Sequence, residues 1–452
     1  MLGAYANSIK IPELRKRIIF TLGILALCRL AAGIPCPGLN ASELKRLFSD
    51  LQQTSGGLLN MYNLFSGGAL QKFAVGTLGI MPYITSSIIM QLLMPVIPSL
   101  EKLRREGESG RQKINQYTRY LTLVVCVIHG TASVKFMANP GSMMAKGGEY
   151  NIVTTPGVLF GITTVIFLTA GTMLLVWLGE QISDRGIGNG ISLIITVNIL
   201  SRVPEAVQSL ITLDLGAAGS GGNVIKVAIL LAMFVAVCAG AVALTQGHRK
   251  IPIRHARRTA GRQMGAGQTS YLPLRVNYSG VMPIIFGNAI LMFPALILPR
   301  LPWKFAKGLT QYFTPGEPSY MIMFGVVIIL FSFFWVATQF KPTQIADNLQ
   351  KQGGYIPGIR PGQPTATFLD NTMSRLTLAG AIFLTAIAVF PMVLMSGAFQ
   401  IKPIIASFFG GTSLLIMVGV VLDTMRQIEA YLLSHHYDGF LKKGKLRSRM
   451  RP

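Results

Sequence analysis

The chain alternates between long uncharged apolar runs and short stretches that hold nearly all of its charge. A bilayer core of about 30 Å needs roughly 20 apolar helical residues. Seven uncharged runs meet or nearly meet that length, at 73–100, 157–179, 227–247, 281–299, 321–340, 376–401 and 403–422. Three more qualify with a charge that can snorkel: 18–34 around Arg29, 120–138 with Lys135 near its end, and 186–213 interrupted by Arg202. The pattern predicts an all-α polytopic membrane protein with ten transmembrane helices. The first run follows Arg15, Lys16 and Arg17 as a signal peptide would. Nine further spans and no small-residue cleavage pattern make it read as a retained helix.

One apolar stretch is too short to cross. Between the first two spans, residues 56–68 carry an apolar centre of about ten residues, half a spanning length, bracketed by Gly56–Gly57 and Gly67–Gly68. It reads either as an interfacial helix or as a re-entrant element entering a cavity, with the glycine pairs as hinges and Asn60 and Asn63 tolerating a wet environment.

Composition sharpens the class. Of 452 residues, 51% are hydrophobic and 13% are charged, against about 25% charged in soluble proteins, yet the net charge is +24. A soluble enzyme, a disordered tail and a coiled coil are excluded. With a cytoplasmic N-terminus, the cytoplasmic segments hold 28 Lys and Arg and the outer loops 11. The positive-inside rule then places both termini in the cytoplasm. Five helices per half, 1–213 and 214–452, would make the halves inverted in the membrane, although no repeat is visible in the letters.

The membrane interior lacks the usual chemistry. The middle of every predicted span is free of Asp, Glu, Lys and Arg, whereas ion-coupled carriers need such groups at depth. HExxH, GxSxG and GxxxxGK[ST] do not occur. Cys28, Cys36, Cys126 and Cys238 are scattered and make no CxxC pair, so neither a zinc site nor a disulfide framework is expected. Neither a cofactor nor a metal is expected. What the spans do carry is isoleucine. Ile80 and Ile84 share one helix face, Ile191 and Ile195 repeat the spacing, and Ile285 and Ile416 lie in later apolar stretches. These are ordinary packing residues or a hydrophobic constriction that gates by dewetting. The second span also carries Thr85, Ser86, Ser87 and Gln91 after Pro82, and the seventh carries Asn288 between Pro283 and Pro294. Such residues serve bundle packing or a seam that must open.

Two cytoplasmic loops stand out. The loop 246–279 holds Arg249, Lys250, Arg254, Arg257, Arg258, Arg262 and Arg275 without one acidic residue. It suits lipid headgroups or docking of an acidic partner or RNA phosphates. The loop 341–375 shows no clear helix and holds Arg360 between turn-forming prolines and glycines.

Long strings then identify a family. NLFSGGAL at 63–70, GIMPYI at 79–84, EGESGRQKINQYTRY at 106–120, WLGEQISDRGIGNGIS at 177–192, PLRVN at 273–277, ADNLQKQGGYIPGIRPG at 346–362 and FGGTSLLI at 409–416 resemble the SecY family of bacterial protein-translocase channel subunits over nearly the whole chain. The resemblance implies two inverted five-helix halves forming a clamshell around an hourglass pore. Residues 58–69, with Leu58, Asn60, Asn63, Phe65, Gly67 and Gly68, would form a plug. Ile80, Ile84, Ile191, Ile195, Ile285 and Ile416 match the family's pore-ring positions. Thr85, Ser87, Gln91 and Asn288 would line a lateral gate, and Arg257, Arg258, Arg262 and Arg360 would dock SecA or the ribosome. The small subunits SecE and SecG, signal sequences, nascent chains and the lipid bilayer are the remaining implied partners, and the bacterial inner membrane is the implied location. The rival reading from the residues, a secondary transporter of a small solute, would need a polar or ionisable cluster at mid-depth. A purely structural scaffold is the third.

Overall fold

The computed structural model describes residues 11–54, 66–138, 152–154, 157–205, 207–208, 222–255, 269–297, 308–309, 311–313, 317–395 and 411–443. Each of the ten predicted runs contains an α-helix. Four helical stretches, Glu108–Ala138, Val158–Arg185, Pro318–Lys351 and Gln363–Phe390, are long and apolar enough to cross a bilayer. A fifth crossing follows if Met81–Leu93 and Pro98–Arg105, bent by 98°, count as one. Large side chains such as Leu30 on the first helix and Val158 on the fourth span stay 65% and 82% exposed. Apolar surface of that kind suits a hydrocarbon solvent. The chain is a multi-pass membrane protein.

The fold divides into two compact units: Met1–Pro204 with Val420–Pro452, and Glu205–Gly419. The division differs from the expected halves at both ends. It falls ahead of residue 213, and the last helix is shared, with its portion from Val420 onward assigned to the first unit. Hydrogen bonding gives the reason. The Gly188 N–H donates to Gln427 Oε1 at 3.0 Å, and the Arg17 guanidinium lies 5.1 Å from the Tyr431 ring centroid.

In the first unit, α1 (Pro12–Ala31) starts on a proline at its N-terminus and is followed by the amphipathic α2 (Ala41–Thr54). Leu44, Leu47 and Phe48, at i, i+3 and i+4, bury one face of α2 against Phe73, Leu78, Met137 and Leu168. After the one-turn α3 (Ala69–Lys72), the chain runs irregularly to α4 (Met81–Leu93), which begins eight residues later than the apolar run. Pro82 supplies the reason, because it is tolerated only in the first helical turn. The run's tail, with Pro95 and Pro98, leaves the helix and turns into α5 (Pro98–Arg105). Helices α6 (Glu108–Ala138) and α7 (Val158–Arg185) extend beyond the apolar runs into charged sequence. There Arg119 makes a bidentate pair with Glu180, at 2.8 and 2.7 Å. Helix α8 (Gly190–Leu200), capped by the Asn189 side chain, packs tightly on α7. A Cβ on Gly190 would stand 1.9 Å from the Gly179 carbonyl oxygen, so only glycine permits the approach.

The second unit contains α9 (Gly222–Gln246), strands β1 (His248–His255) and β2 (Thr269–Arg275), α10 (Met282–Ile297), α11 (Pro318–Gln339), α12 (Pro342–Lys351), strand β3 (Gly354–Tyr355), α13 (Gln363–Met395) and the first part of α14 (Gly411–Lys443). Its core joins Leu244, Ile284, Phe324, Ile328, Leu384 and Leu415. Two expectations for the loops 246–279 and 341–375 are corrected. The basic loop is an antiparallel β-hairpin flank, with His248 opposite Arg275 and Arg254 opposite Thr269. The second loop holds the helix α12, which the turn-rich reading missed. Pro342 opens it, and Ala346 and Leu349 bury its apolar side. The sheet order is β2–β1–β3, so both loops belong to one sheet.

Candidate functional site

The isoleucines of the first unit gather where side chains at the start of α4 meet those of α1, α7 and α8. Ile80 is the N-cap of α4 and only 2% exposed, and its carbonyl accepts the Ile84 N–H at 3.0 Å. Ile80 belongs to a cluster with Ile24, Leu25, Leu178, Ile182 and Ile194, and half-buried Ile84 and Ile191 pack against it. Ile195 is buried on α8. Two of these residues do not sit at mid-helix as the runs suggested: Ile80 precedes α4 and Ile191 lies in the first turn of α8. In the second unit, Ile285 on α10 and Ile416 on α14 are buried beside core residues Ile284 and Leu415.

The polar residues of α4 spend their hydrogen bonds on their own helix. Thr85 Oγ1 donates to the Met81 carbonyl at 3.0 Å, Ser86 Oγ to that of Pro82 at 2.8 Å, and Gln91 Nε2 to Ser87 Oγ at 3.2 Å. Local back-bonding of this kind satisfies hydroxyls without tying the helix to a neighbour. Gln91 Oε1 and Asn288 Oδ1 are buried and have no hydrogen-bond partner among the described residues. An orphaned buried acceptor costs about 1–3 kcal/mol. A helix face that retains one is poised to gain from a new donor.

Of the expected plug residues, Leu58, Asn60, Asn63 and Phe65 lie outside the described residues, while Gly67 and Gly68 lie within them. Both glycines adopt left-handed backbone, with φ of 62° and 88°. The Gly67 carbonyl accepts from Arg29 Nη2 at 3.0 Å and from Ser201 Oγ at 3.5 Å. Arg29 Nη1 donates to Asn198 Oδ1 at 2.9 Å. A Cβ on Gly68 would stand 3.4 Å from the buried Arg202 guanidinium. The sequence reading treated Arg29 and Arg202 as charges that can snorkel and gave Asn198 and Ser201 no role. The available signal was an arginine inside each of two otherwise apolar runs.

The three-stranded sheet stands on its own core. Along β1, Ile251 and Ile253 are buried while Lys250, Pro252 and Arg254 are exposed, the period-2 alternation of a half-buried strand. Ile251 and Leu274 pack with Phe340, Ile356, Leu369 and Met373. Arg254 pairs with Tyr355, and His255 with Gly354. Arg360 is exposed, and its carbonyl accepts from Thr365 Oγ1 at 2.8 Å, which joins its turn to the start of α13. Arg257, Arg258 and Arg262 lie outside the described residues. Lys250, Arg254, Arg275 and Arg360 thus stand exposed around one apolar-backed platform. No group of three or more His, Cys, Asp or Glu able to hold a metal occurs among the described residues.

Comparison with known proteins extends this picture. The SecY family model matches residues 74–425. The chain is 43% identical to the protein translocase subunit SecY of Chlamydia trachomatis serovar D over 449 residues, covering 97% of this chain and 98% of that protein. It is 42% identical to the protein translocase subunit SecY of Escherichia coli K12, covering 96% and 95%. Among solved structures, its fold is similar to that of a protein-conducting channel, with a TM-score of 0.60 at 18% identity, covering 96% of this chain and 94% of that one. It is also similar to Sec61 in the canine ribosome–channel complex, with a TM-score of 0.57 at 17% identity, covering the same shares. Both likenesses are of fold. At more than 40% identity across almost the full length of its relatives, the chain belongs to the SecY family.

Proposed function

We infer that this chain is the central subunit of a protein-conducting channel, which passes unfolded secretory proteins across the membrane and releases apolar segments sideways into lipid. The observation that carries the reading is the near-complete alignment with two protein translocase subunits. The convergence of Ile80, Ile84 and Ile191 on one apolar cluster agrees with it. A transported chain is chemically arbitrary, so its path must offer no strong polar site. Branched apolar side chains form a gasket around many shapes and resist ion flow by dewetting.

In this reading Ile80, Ile84, Ile191, Ile195, Ile285 and Ile416 form the constriction, and the segment 58–69 plugs it. The faces of α4 and α10 bearing Thr85, Ser87, Gln91 and Asn288 form the lateral gate. The halves 1–213 and 214–452 form the two sides of the clamshell. Gating is passive: a signal sequence that binds the open form better shifts the closed–open equilibrium by its differential affinity and no more.

The chain is a translocase component and not itself an enzyme. The driving energy comes from SecA or from the elongating ribosome, docked on the platform around Arg254 and Arg360 and on the segment carrying Arg257, Arg258 and Arg262. SecE and SecG complete the complex in the bacterial inner membrane, with both termini cytoplasmic, in keeping with 28 basic residues on that side against 11. The test is reconstitution of the complex in proteoliposomes with SecA and a secretory precursor. Protection of the precursor from external protease supports the reading. Uptake of a small solute with no precursor transport overturns it in favour of a secondary transporter.

A further inference from the structure

The connection between α7 and α8, residues 186–189, sets where α8 begins and hence where Ile191, in its first turn, stands. Gly186, Gly188 and Gly190 are buried, so the backbone amides here must find partners inside the protein. They find side chains from three helices. The Ile187 N–H donates to Thr21 Oγ1 of α1 at 3.1 Å, the Gly188 N–H to Gln427 Oε1 of α14 at 3.0 Å, and the Gly190 N–H to Ser183 Oγ of α7 at 2.9 Å. The Asn189 cap takes the Ser192 N–H at 3.2 Å. Thr21, Ser183 and Gln427 each spend their own donor on their own helix. Thr21 Oγ1 donates to the Arg17 carbonyl at 2.9 Å, Ser183 Oγ to that of Gly179 at 3.1 Å, and Gln427 Nε2 to Asp423 Oδ2 at 3.4 Å. The acceptor of each group is thereby left facing the connection. The glycines fit this arrangement closely. A Cβ on Gly186 would fall 2.5 Å from Thr21 Oγ1, and one on Gly188, whose φ is 87°, would fall 3.0 Å from Thr424 Oγ1.

We propose that Thr21, Ser183 and Gln427 are positioning residues for the constriction: by holding the amides of Ile187, Gly188 and Gly190 they fix the start of α8 and, with it, Ile191. This role rests on the constriction reading given above and adds to it residues outside the ring. Ile191 packs on the cluster of Ile80, Ile182 and Ile194, and its Cγ1 lies 3.1 Å from where a Cβ on Gly179 would stand. A gasket of a few branched side chains closes only if each is held to within about 0.5 Å, the tolerance of a preorganised site. Helix α8 cannot supply that precision alone, because the first amides of a helix have no partner within it. Hydrogen bonds from α1, α7 and α14 supply it, since they are directional where apolar packing is not.

The whole complex, purified with its partner subunits, is tested by resting ion conductance in planar bilayers. Thr21→Val and Gln427→Met each remove an acceptor and keep side-chain volume. Each is expected to raise resting conductance about twofold or more, since a displaced Ile191 leaves a gap that wets. Thr21→Ser keeps the hydroxyl and stays at the parent value. The two acceptor-removing substitutions are then made on an Ile191→Gly background, where the side chain to be positioned is gone. There they add nothing, whereas a general loss of packing acts whether or not residue 191 carries a side chain. Parent-like conductance in both single variants, or increases that multiply with that of Ile191→Gly, overturn the positioning role. Should Thr21→Val accumulate poorly, Gln427→Met decides by itself, because Gln427 is exposed on α14. An Ile191→Gly channel that conducts no more than the parent fails the constriction reading itself, and the positioning role falls with it.

Discussion

Arg254 on β1 stands directly opposite Tyr355 on β3, so the loops 246–279 and 341–375 form one sheet backed by one apolar core. The basic side chains are therefore presented on a fixed surface, at least as far as the described strands extend. Ile251→Ala tests this. Removing a 4%-exposed isoleucine from that core costs about 2–5 kcal/mol locally. Limited proteolysis of the loops accelerates while the membrane helices stay protected.

Arg360→Glu reverses a charge on that platform without touching its core. SecA-driven export falls about tenfold, the scale of one charge contact worth roughly 1.4 kcal/mol, while the amount of complex in the membrane is unchanged. Raising ionic strength weakens docking of the parent protein in the same direction, since the screening length shrinks from about 10 Å at 0.1 M to about 3 Å at 1 M. Normal export by Arg360→Glu removes the docking role.

Ile84→Gly opens a gap in the proposed constriction and removes the side chain that packs on Ile80's cluster. Ion conductance of the resting channel rises about threefold or more, because a wider, wetter constriction no longer gates by dewetting. Ile84→Leu preserves apolar volume and stays near the parent value. Equal conductance in the two variants removes Ile84 from the ring.

Gly190→Ala drives a methyl group into the Gly179 carbonyl across the α7–α8 contact. Backbone cannot yield as a side-chain tip can, so the cost exceeds the usual 1–3 kcal/mol of overpacking. Steady-state protein falls several-fold and detergent-extracted complex melts lower. Gly157→Ala, where a methyl group meets nothing within 4 Å, leaves both unchanged.

Much of this was legible from local pattern. Each of the ten apolar runs holds a helix, because in hydrocarbon the backbone must satisfy its own hydrogen bonds. The runs located the helices better than their ends. Apolarity does not encode a stop, so Pro82 delayed α4 to residue 81 and the charged flanks of α6 and α13 continued as helix. The β1 alternation of Ile251 and Ile253 was present in the letters but masked by the surrounding arginines. The single turn of pattern in α12 was too short to stand out against its prolines and glycines.

By itself the sequence determined the membrane class, the helical runs, the charge asymmetry and, through long shared strings, the family. Those properties depend on solvent and on residues near one another in the chain. The tertiary structure decided what Arg29 meets and that the two basic loops share a sheet. Residues 29, 67 and 198 meet, as do 254 and 355, only after helices and strands have packed. A hydrogen bond between distant segments leaves no period in the sequence, because its strength depends on ångström-scale placement and not on spacing.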